Sequence, residues 1–214
     1  MTTPTAAPDT TWWRRNRLWL LLLLPLLLLA LVTSSFRLVT LYRPWSWSGR
    51  VVAHGPTGTL SEDFMASDGQ TYHRDVTVTV DSVQPVRSLG EDAATPGAQL
   101  WRVDLTLAAP VDQIVEGCEI LLVDAAGRSY RAGRAGKVAA DPANRFWSTS
   151  DDIACVPEDA PGPTDGLFRI EPSPLERPPS WPVTVGVVTP DGVEPVGVIV
   201  RWTMPGYLEL ATPA

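Results

Sequence analysis

The chain has 214 residues, of which 44% are hydrophobic, and a formal net charge of −7 at pH 7. From Pro44 onward the imbalance is larger, with 12 basic and 23 acidic side chains and therefore a net charge of −11. Because nucleic acids bind basic surfaces, this composition argues against a nucleic-acid partner.

The most apolar stretch runs from Leu18 to Phe36 and contains no charged side chain. As an α-helix its 19 residues would be roughly 28 Å long, close to the ~30 Å hydrocarbon core of a bilayer. Residues 1–17 precede it and are predicted to be a disordered cytoplasmic head with a flank of arginines. Tryptophans, which collect at membrane interfaces, lie near both ends of the stretch. We therefore predict that residues 18–36 anchor the protein in a lipid bilayer as a single transmembrane helix.

The orientation of this helix rests on two observations, because three arginines flank it on either side. The leading arginines are tightly clustered near the amino terminus, and the trailing part holds two cysteines, which suit an oxidising compartment. We therefore expect a cell-membrane protein with a cytoplasmic amino terminus and an extracytoplasmic carboxyl-terminal domain. A cleaved secretory signal peptide, ending near Val32-Thr33-Ser34, is the alternative, and it also places the remainder outside the cytoplasm.

The rest of the chain consists of short runs that alternate apolar and polar residues, separated by turn residues, which is typical of strands. Residues 37–56 are predicted to be a juxtamembrane connector with a first strand, residues 57–205 a β-sandwich ectodomain, and residues 206–214 a tail. No helical period follows the anchor, so sheets would have to pack against sheets. The predicted strands are 50–53, 59–66, 72–86, 99–109, 116–123, 128–132 and 167–170, followed by a hairpin around Pro190-Asp191-Gly192.

Two of these strands alternate most clearly. Residues 76–80 place valine against threonine, and residues 101–107 place tryptophan, valine and leucine against arginine, aspartate and threonine. One face of each strand would be buried and the other wet, as in an antiparallel sheet. With the cysteine strand at 118 and the closing valine-rich hairpin, these strands resemble those of membrane-tethered or secreted actinobacterial proteins with an immunoglobulin-like β-sandwich. The resemblance covers roughly residues 70–203 and implies a mainly β, immunoglobulin-like antiparallel sandwich, a fold that hosts many functions.

The chain contains two cysteines, Cys118 and Cys155. An even number of cysteines in an exported domain favours a disulfide, which would close a loop of 37 residues. Two buried free thiols are the alternative. A redox-active pair is disfavoured because the chain contains no Cys-x-x-Cys motif.

The titratable side chains give no catalytic or cofactor motif. His54 and His73 are the only histidines, and the sequential His73-Arg74-Asp75 directs neighbouring side chains to opposite faces of a strand. The acidic stretch from Asp151 to Asp165 has oxygen ligands suited to calcium but lacks EF-hand spacing. We therefore predict no catalytic residue, no cofactor and no metal site.

A local basic patch on this acidic domain is the predicted interaction site. Its members recur every third residue in a glycine-rich segment and are suited to an acidic partner, an anionic glycan or phosphate groups. They are Arg128, Arg131, Arg134 and Lys137.

These observations predict a non-enzymatic, membrane-anchored envelope protein whose extracytoplasmic β-sandwich acts as an interaction or accessory module. Its expected partners are the lipid bilayer, through residues 18–36, and a further envelope protein. An extracytoplasmic carrier or sensor of a small ligand, either a lipid or calcium, is the alternative. A hydrolase with an unusual site is a third hypothesis.

Overall fold

The computed structural model describes residues 10–90, 92–133 and 155–213. The chain divides into two units, Met1–Ser46 and Trp47–Ala214. The described part of the first unit is helical, and the strands found in the described residues all lie in the second unit.

From Thr10 onward, the first unit is one nearly continuous helix. It consists of α1 (Thr10–Arg37), a π-helical turn (Leu38–Tyr42) and a 3₁₀ turn (Arg43–Trp45). Pro25 lies inside α1. From Leu18 to Phe36 every side chain is exposed apart from Leu20, which is partly buried. Over Trp12–Tyr42 it is long and apolar enough to cross a membrane, a test that a signal sequence also passes. Because α1 begins at Thr10, the arginine flank predicted to be disordered is helical; residues 1–9 lie outside the described part.

In the described residues of the second unit, nine strands form one folded sheet and four short strands form two separate pairs. The strands of the large sheet are β1 (Gly49–Val52), β2 (Thr57–Met65), β3 (Thr71–Val86), β6 (Ala98–Ala108), β7 (Glu119–Asp124), β8 (Ser129–Gly133), β11 (Ser180–Pro190), β12 (Pro195–Arg201) and β13 (Gly206–Ala211). The short pairs are β4 (Ser88–Leu89) with β5 (Asp92–Ala93), and β9 (Thr164–Asp165) with β10 (Ile170–Glu171).

The large sheet has the order β1-β13-β12-β7-β8-β11-β6-β3-β2 and folds into two layers. β8 belongs to both layers, because Ser129–Arg131 pair with β7 while Ala132 and Gly133 pair with β11. All neighbours in the sheet are antiparallel except β1 and β13, which are parallel. The mainly β, sandwich-like fold predicted from the sequence is confirmed.

The core lies between the two layers and is filled by valine and leucine side chains from both. Val76, Val78 and Val80 of β3 are buried while the intervening Thr77 and Thr79 are not, so the predicted alternation is confirmed there. Each layer supplies one apolar face, and closing the sandwich removes both faces from water, which is the main stabilising contribution to such a fold.

The carboxyl-terminal boundary of the domain requires a correction. Residues 206–214 were predicted to be a tail, but β13 occupies 206–211 and lies between β1 and β12. Leu208 and Leu210 of β13 are buried in the core. The run Tyr207-Leu-Glu-Leu210 does alternate with period two, and its shortness hid it among turn residues.

Candidate functional site

One end of the sandwich, which we call the entry end, is where the chain comes in from the N-terminal helix. β1 begins there at Gly49, which pairs with Gly206 and donates its amide to the Pro205 carbonyl at 2.9 Å. The β2–β3 turn and the β9–β10 hairpin meet at the same end, since the Ser67 amide donates to the Asp165 carboxylate at 3.0 Å. The entry end is therefore formed by loops from both layers together with the first residues of the domain.

A buried ion pair between Arg74 and Glu62 forms the centre of the entry end. Arg74 Nη1 donates to Glu62 Oε1 at 2.9 Å, and Arg74 is only 3% exposed. Arg74 Nε donates to the Ile114 carbonyl of the β6–β7 loop at 2.9 Å. The guanidinium carbon lies 4.0 Å from the centroid of the Phe64 ring and 5.5 Å from that of Trp202. Arg74 thus contacts β2, the β6–β7 loop and the segment after β12 at once.

Burial acts against the charge of both partners. It raises the pKa of the Glu62 carboxyl, and the attraction of Arg74 only partly opposes this effect. It also lowers the pKa of Arg74, against the attraction of Glu62. Burial therefore opposes the charged form of both partners, and buried ion pairs often add little net stability. We interpret the pair as specifying which loops meet rather than as a source of stability.

The β9–β10 hairpin is held to the domain through Asp165. Its carboxylate accepts hydrogen bonds from the Ser67 amide at 3.0 Å and from the Ser67 hydroxyl at 2.5 Å. Its own amide donates to the Glu116 carboxylate, whose pKa is raised chiefly by burial. The Gly166 amide closes the turn on the Arg169 carbonyl at 3.0 Å. The stem of the hairpin is therefore fixed to two neighbouring segments, the β2–β3 turn and the β6–β7 loop.

The tip of this hairpin exposes two large apolar side chains. Leu167 is 86% and Phe168 is 80% exposed. Phe168 has a φ of 67°, in the left-handed region that bulky residues rarely adopt. The predicted strand 167–170 is therefore wrong at its first three residues, because β10 begins at Ile170 and the residues before it form the turn.

The predicted disulfide between Cys118 and Cys155 is present, with the Cα atoms 5.7 Å apart. It joins the start of β7 to the segment before β9. A second set of contacts holds the same segment. The Trp181 indole donates to the Cys155 carbonyl at 2.9 Å, and the guanidinium carbon of the fully buried Arg177 lies 4.8 Å from the centroid of the Trp181 ring. The Arg177 guanidinium donates to three backbone carbonyls, those of Pro110, Gln113 and Pro161.

The predicted basic patch is only half described. Arg128 pairs with the buried Asp124 at 2.7 Å. Arg131 pairs with Glu119 at 2.9 Å, and Glu119 also binds Arg201. Two further members of the patch, Arg134 and Lys137, lie outside the described residues. Since both described arginines have carboxylate partners within the domain, their charge is largely compensated locally, and the patch stays a prediction as a binding site.

A hydrogen-bonded Ser–His–Asp group lies on the outer face of β2 and β3. Ser61 Oγ lies 3.3 Å from His73 Nε2, and His73 Nδ1 lies 2.7 Å from Asp63 Oδ1. The hydrogen bond to Asp63 raises the pKa of His73. His73, Arg74 and Asp75 are neighbours in sequence, whereas the serine and the second carboxylate come from the paired strand β2 and are therefore not evident from the sequence.

Serine, histidine and aspartate are hydrogen-bonded here in the same sequence as in a catalytic triad, but the group lacks the buried site and the oxyanion-binding amides that a triad needs. His73 and Asp63 are both exposed, on an open strand face. Acyl transfer needs backbone amides aimed at the oxygen that becomes negative. The amides of β2 and β3 lie in the plane of the sheet, where they serve the strand ladder. We therefore assign no hydrolase activity to this group.

The hypothesis of a small ligand between the layers gains no support. The described residues fill that space with aliphatic side chains. Within the same residues, no group of three His, Cys, Asp or Glu side chains is placed to hold a metal ion. Of the acidic stretch, Glu158 and Asp159 are exposed, whereas Asp151 and Asp152 lie outside the described part. The calcium hypothesis stays untested.

No protein-family model and no curated protein matches the sequence. One similar solved structure is an uncharacterized β-sandwich protein from Clostridium difficile 630. It is 12% identical, the match covers 78% of this chain and 96% of that chain, and the TM-score is 0.32. The fold and the site together define a β-sandwich domain joined to an apolar helix long enough to cross a membrane.

Proposed function

We propose that this protein is a membrane-anchored envelope protein whose extracytoplasmic β-sandwich serves as a non-enzymatic interaction or accessory module. The proposal is carried by one observation: a helix exposing leucine side chains around its whole circumference leads directly into a disulfide-linked sandwich. Such a helix has no apolar partner among the described residues, and a bilayer is the environment that would cover it. A disulfide persists in oxidising compartments, which supports an extracytoplasmic domain.

The interaction role is supported by the surfaces that the sandwich presents. Its interior is filled, so binding falls to the faces and the end loops. The outer face of the β2-β3-β6-β11 layer is a regular polar surface, with the hydroxyl pair Thr57–Thr79 at 3.0 Å and the pair Thr59–Thr77 at 2.9 Å. Asp104 continues this surface on β6 and accepts hydrogen bonds from the neighbouring strands. A surface of this kind suits a protein partner better than a small molecule, which needs a concave site.

Membrane topology tests the anchoring part of the proposal. We expect an epitope tag after Ala214 to be removed by protease in intact spheroplasts, while a tag before Met1 is removed only after lysis. The full chain should stay in the membrane pellet after alkaline carbonate extraction. A chain that is recovered in the soluble cytosolic fraction, or a carboxyl-terminal tag protected in spheroplasts, contradicts it.

Partner recovery tests the interaction part. Proximity cross-linking of the anchored chain should recover one specific envelope protein. Combined Arg131→Glu and Arg134→Glu changes should reduce its yield, if the predicted basic patch makes the contact. Arg50→Glu, a similar change of an exposed, ion-paired arginine on the edge strand β1, away from β8 and from the β2-β3-β6-β11 face, is the matched control and should leave the yield unchanged. Equal recovery from all variants would argue against the patch, and no specific partner in any sample would argue against the module.

A further inference from the structure

Exposed large apolar side chains of the domain are concentrated at the entry end. In the described part from Trp47 onward, every exposed leucine, methionine and phenylalanine lies in a loop or strand end there. They are Met65, Leu167, Phe168, Leu175 and Met204. Among the described residues, the opposite end exposes only smaller side chains of this kind, such as Val196. Grouped exposed apolar residues on a soluble domain mark a surface that is covered in use.

The most exposed of these residues are presented by a fixed support. Leu167 and Phe168 stand at the tip of the β9–β10 hairpin, whose stem is tied to the β2–β3 turn through Asp165 and Ser67. Phe168 keeps a left-handed backbone, with a φ of 67°, although glycine adopts that conformation more easily. Backbone strain of this type persists only where the surroundings impose it. The hairpin therefore presents two exposed apolar side chains from a stem that is fixed to the domain.

The same end receives the chain from the apolar helix. The membrane-length segment ends at Tyr42 and β1 begins at Gly49, so six residues connect them. Even fully extended, such a connector reaches only about 22 Å. If the helix is anchored, the bilayer is therefore the apolar surface that is always within reach of this end, and its effective concentration is high because the contact is intramolecular.

We propose that the entry end docks onto the bilayer that holds the N-terminal helix, with Leu167 and Phe168 inserted at the boundary between headgroups and acyl chains. The proposal rests on the membrane anchoring proposed above and adds a second, shallow contact. Its consequence is a fixed orientation of the sandwich, with the β7–β8 and β11–β12 turns directed away from the membrane and available to a partner.

Charge decides which lipids favour this contact. The hairpin carries Asp165 and Glu171 beside a single arginine, Arg169, which already pairs with Glu171 at 3.2 Å. Glu116 adds a further carboxylate beside the stem. Anionic headgroups would therefore repel the tip, and salt would weaken that repulsion. Insertion should be deeper in phosphatidylcholine than in phosphatidylglycerol at low salt, and the difference should shrink as salt is added.

A single-cysteine label tests the proposal, because both native cysteines are in the disulfide. Phe168→Cys, labelled with an environment-sensitive fluorophore, is placed in the otherwise unchanged full chain, with one chain per phosphatidylcholine nanodisc. Val196→Cys, exposed at the other end of the sandwich, is the matched control. We expect the emission at position 168 to shift to shorter wavelength and to be quenched by spin labels on the acyl chains, while the label at position 196 stays solvent-like.

The outcomes separate this proposal from the one on which it rests. If the chain integrates into the nanodisc but position 168 remains as solvent-exposed as position 196, bilayer docking is wrong, anchoring stands, and the tip is left for a protein partner or a second copy. If the chain does not integrate, both proposals fail. Quenching by acyl-chain labels that disappears on adding Leu167→Ser supports insertion of the whole tip.

Discussion

Arg74 and Glu62 each place a charged side chain on the buried face of a strand. The reason becomes clear only when β2 and β3 are seen to pair. Arg74 has the same parity as the buried Val76 and Val78, and Glu62 lies between Leu60 and Phe64 on the inward face of β2. Each charge on its own interrupts an apolar face. Because β2 and β3 pair Glu62 opposite Arg74, the two interruptions compensate each other.

We expect Glu62→Gln to lower the free energy of unfolding by about 3–5 kcal/mol, because it leaves the Arg74 charge buried without a carboxylate. Replacing both residues, with Glu62→Leu and Arg74→Met, should cost clearly less, since no unpaired charge remains. Denaturant unfolding of the full chain in detergent, followed by near-UV circular dichroism, measures both. Arg50→Gln is the control, because it breaks the exposed pair with Glu209 and should have little effect. Equal losses for the single and the double variant would contradict this account.

His73 gives the domain a small pH dependence of known sign. Its pKa is raised on folding above the ordinary value of 6.5 by the hydrogen bond to Asp63, and Asp75 adds a second carboxylate. Such a group contributes stability that is complete below the unfolded-state pKa and is lost as the pH rises through the folded-state value. We expect wild-type stability to fall slightly as the pH rises above the ordinary histidine pKa of 6.5, and His73→Gln to remove that slope. An unchanged slope in the variant would show that another group titrates.

At the scale of elements, β13 completes the layer formed by β1, β13, β12 and β7. It separates β1 from β12 and buries Leu208 and Leu210. Its partner β1 is the first strand of the domain, so the two ends of the sandwich domain are paired in parallel. Without β13, β1 would lose its partner strand and the core would lose two buried leucines, so we expect folding of the domain to require β13.

Truncation distinguishes a strand from a tail at this position. A chain that ends at Pro205 should fail to fold, whereas a chain that ends at Ala211 should unfold like the full chain. Leu208→Ala, which leaves a cavity at a fully buried position, should cost about 2–5 kcal/mol. Protease resistance and denaturant unfolding measure the three variants. A folded chain lacking residues 206–214 would refute the role of β13.

The disulfide is the other element-scale constraint. It closes a loop of 37 residues, so its loss enlarges the conformational freedom of the unfolded chain. We expect the double change Cys118→Ala and Cys155→Ala to lower the free energy of unfolding by about 2–4 kcal/mol without changing the strand content. Far-UV circular dichroism and denaturant unfolding check the two parts of this expectation. A variant as stable as the disulfide-linked chain would indicate that Arg177 and its neighbours suffice.

At the scale of the whole molecule, the two units differ in what surrounds them. The helix exposes its apolar side chains, whereas the sandwich buries its own between layers and has a largely polar outer surface. A lipid environment would cover the apolar side chains of the helix, and an oxidising aqueous environment would suit the disulfide-linked sandwich.

Intact mass spectrometry of the protein extracted from membranes checks this division directly. We expect the mass of the uncleaved 23.2 kDa chain, less the two hydrogens lost in the disulfide. A mass that begins after the segment near Ser34 would establish the signal-peptide alternative and remove the anchor. An uncleaved chain with two alkylatable thiols would instead place the domain in a reducing compartment.

The sequence by itself determined what depends on neighbouring residues. Nineteen uncharged residues predict a membrane-length helix, period-two runs predict most strands, and the two cysteines favour one disulfide if the domain is exported. These are local or compositional signals, and they remain valid whichever strands pair. The immunoglobulin-like sandwich followed from them by resemblance, and its sandwich architecture is confirmed.

Only the tertiary structure decided which distant residues meet. Three contacts join residues from different strands or loops. They are the ion pair of Glu62 with Arg74, the hydrogen bond between Ser61 and His73, and the hydrogen bond from Ser67 to the β9–β10 hairpin. Alternation along a strand tells which face a side chain takes, but it does not tell which strand lies opposite. For that reason the exposed Leu167 and Phe168, read in sequence as part of a strand, became visible as a hairpin tip only when the fold placed them at the entry end.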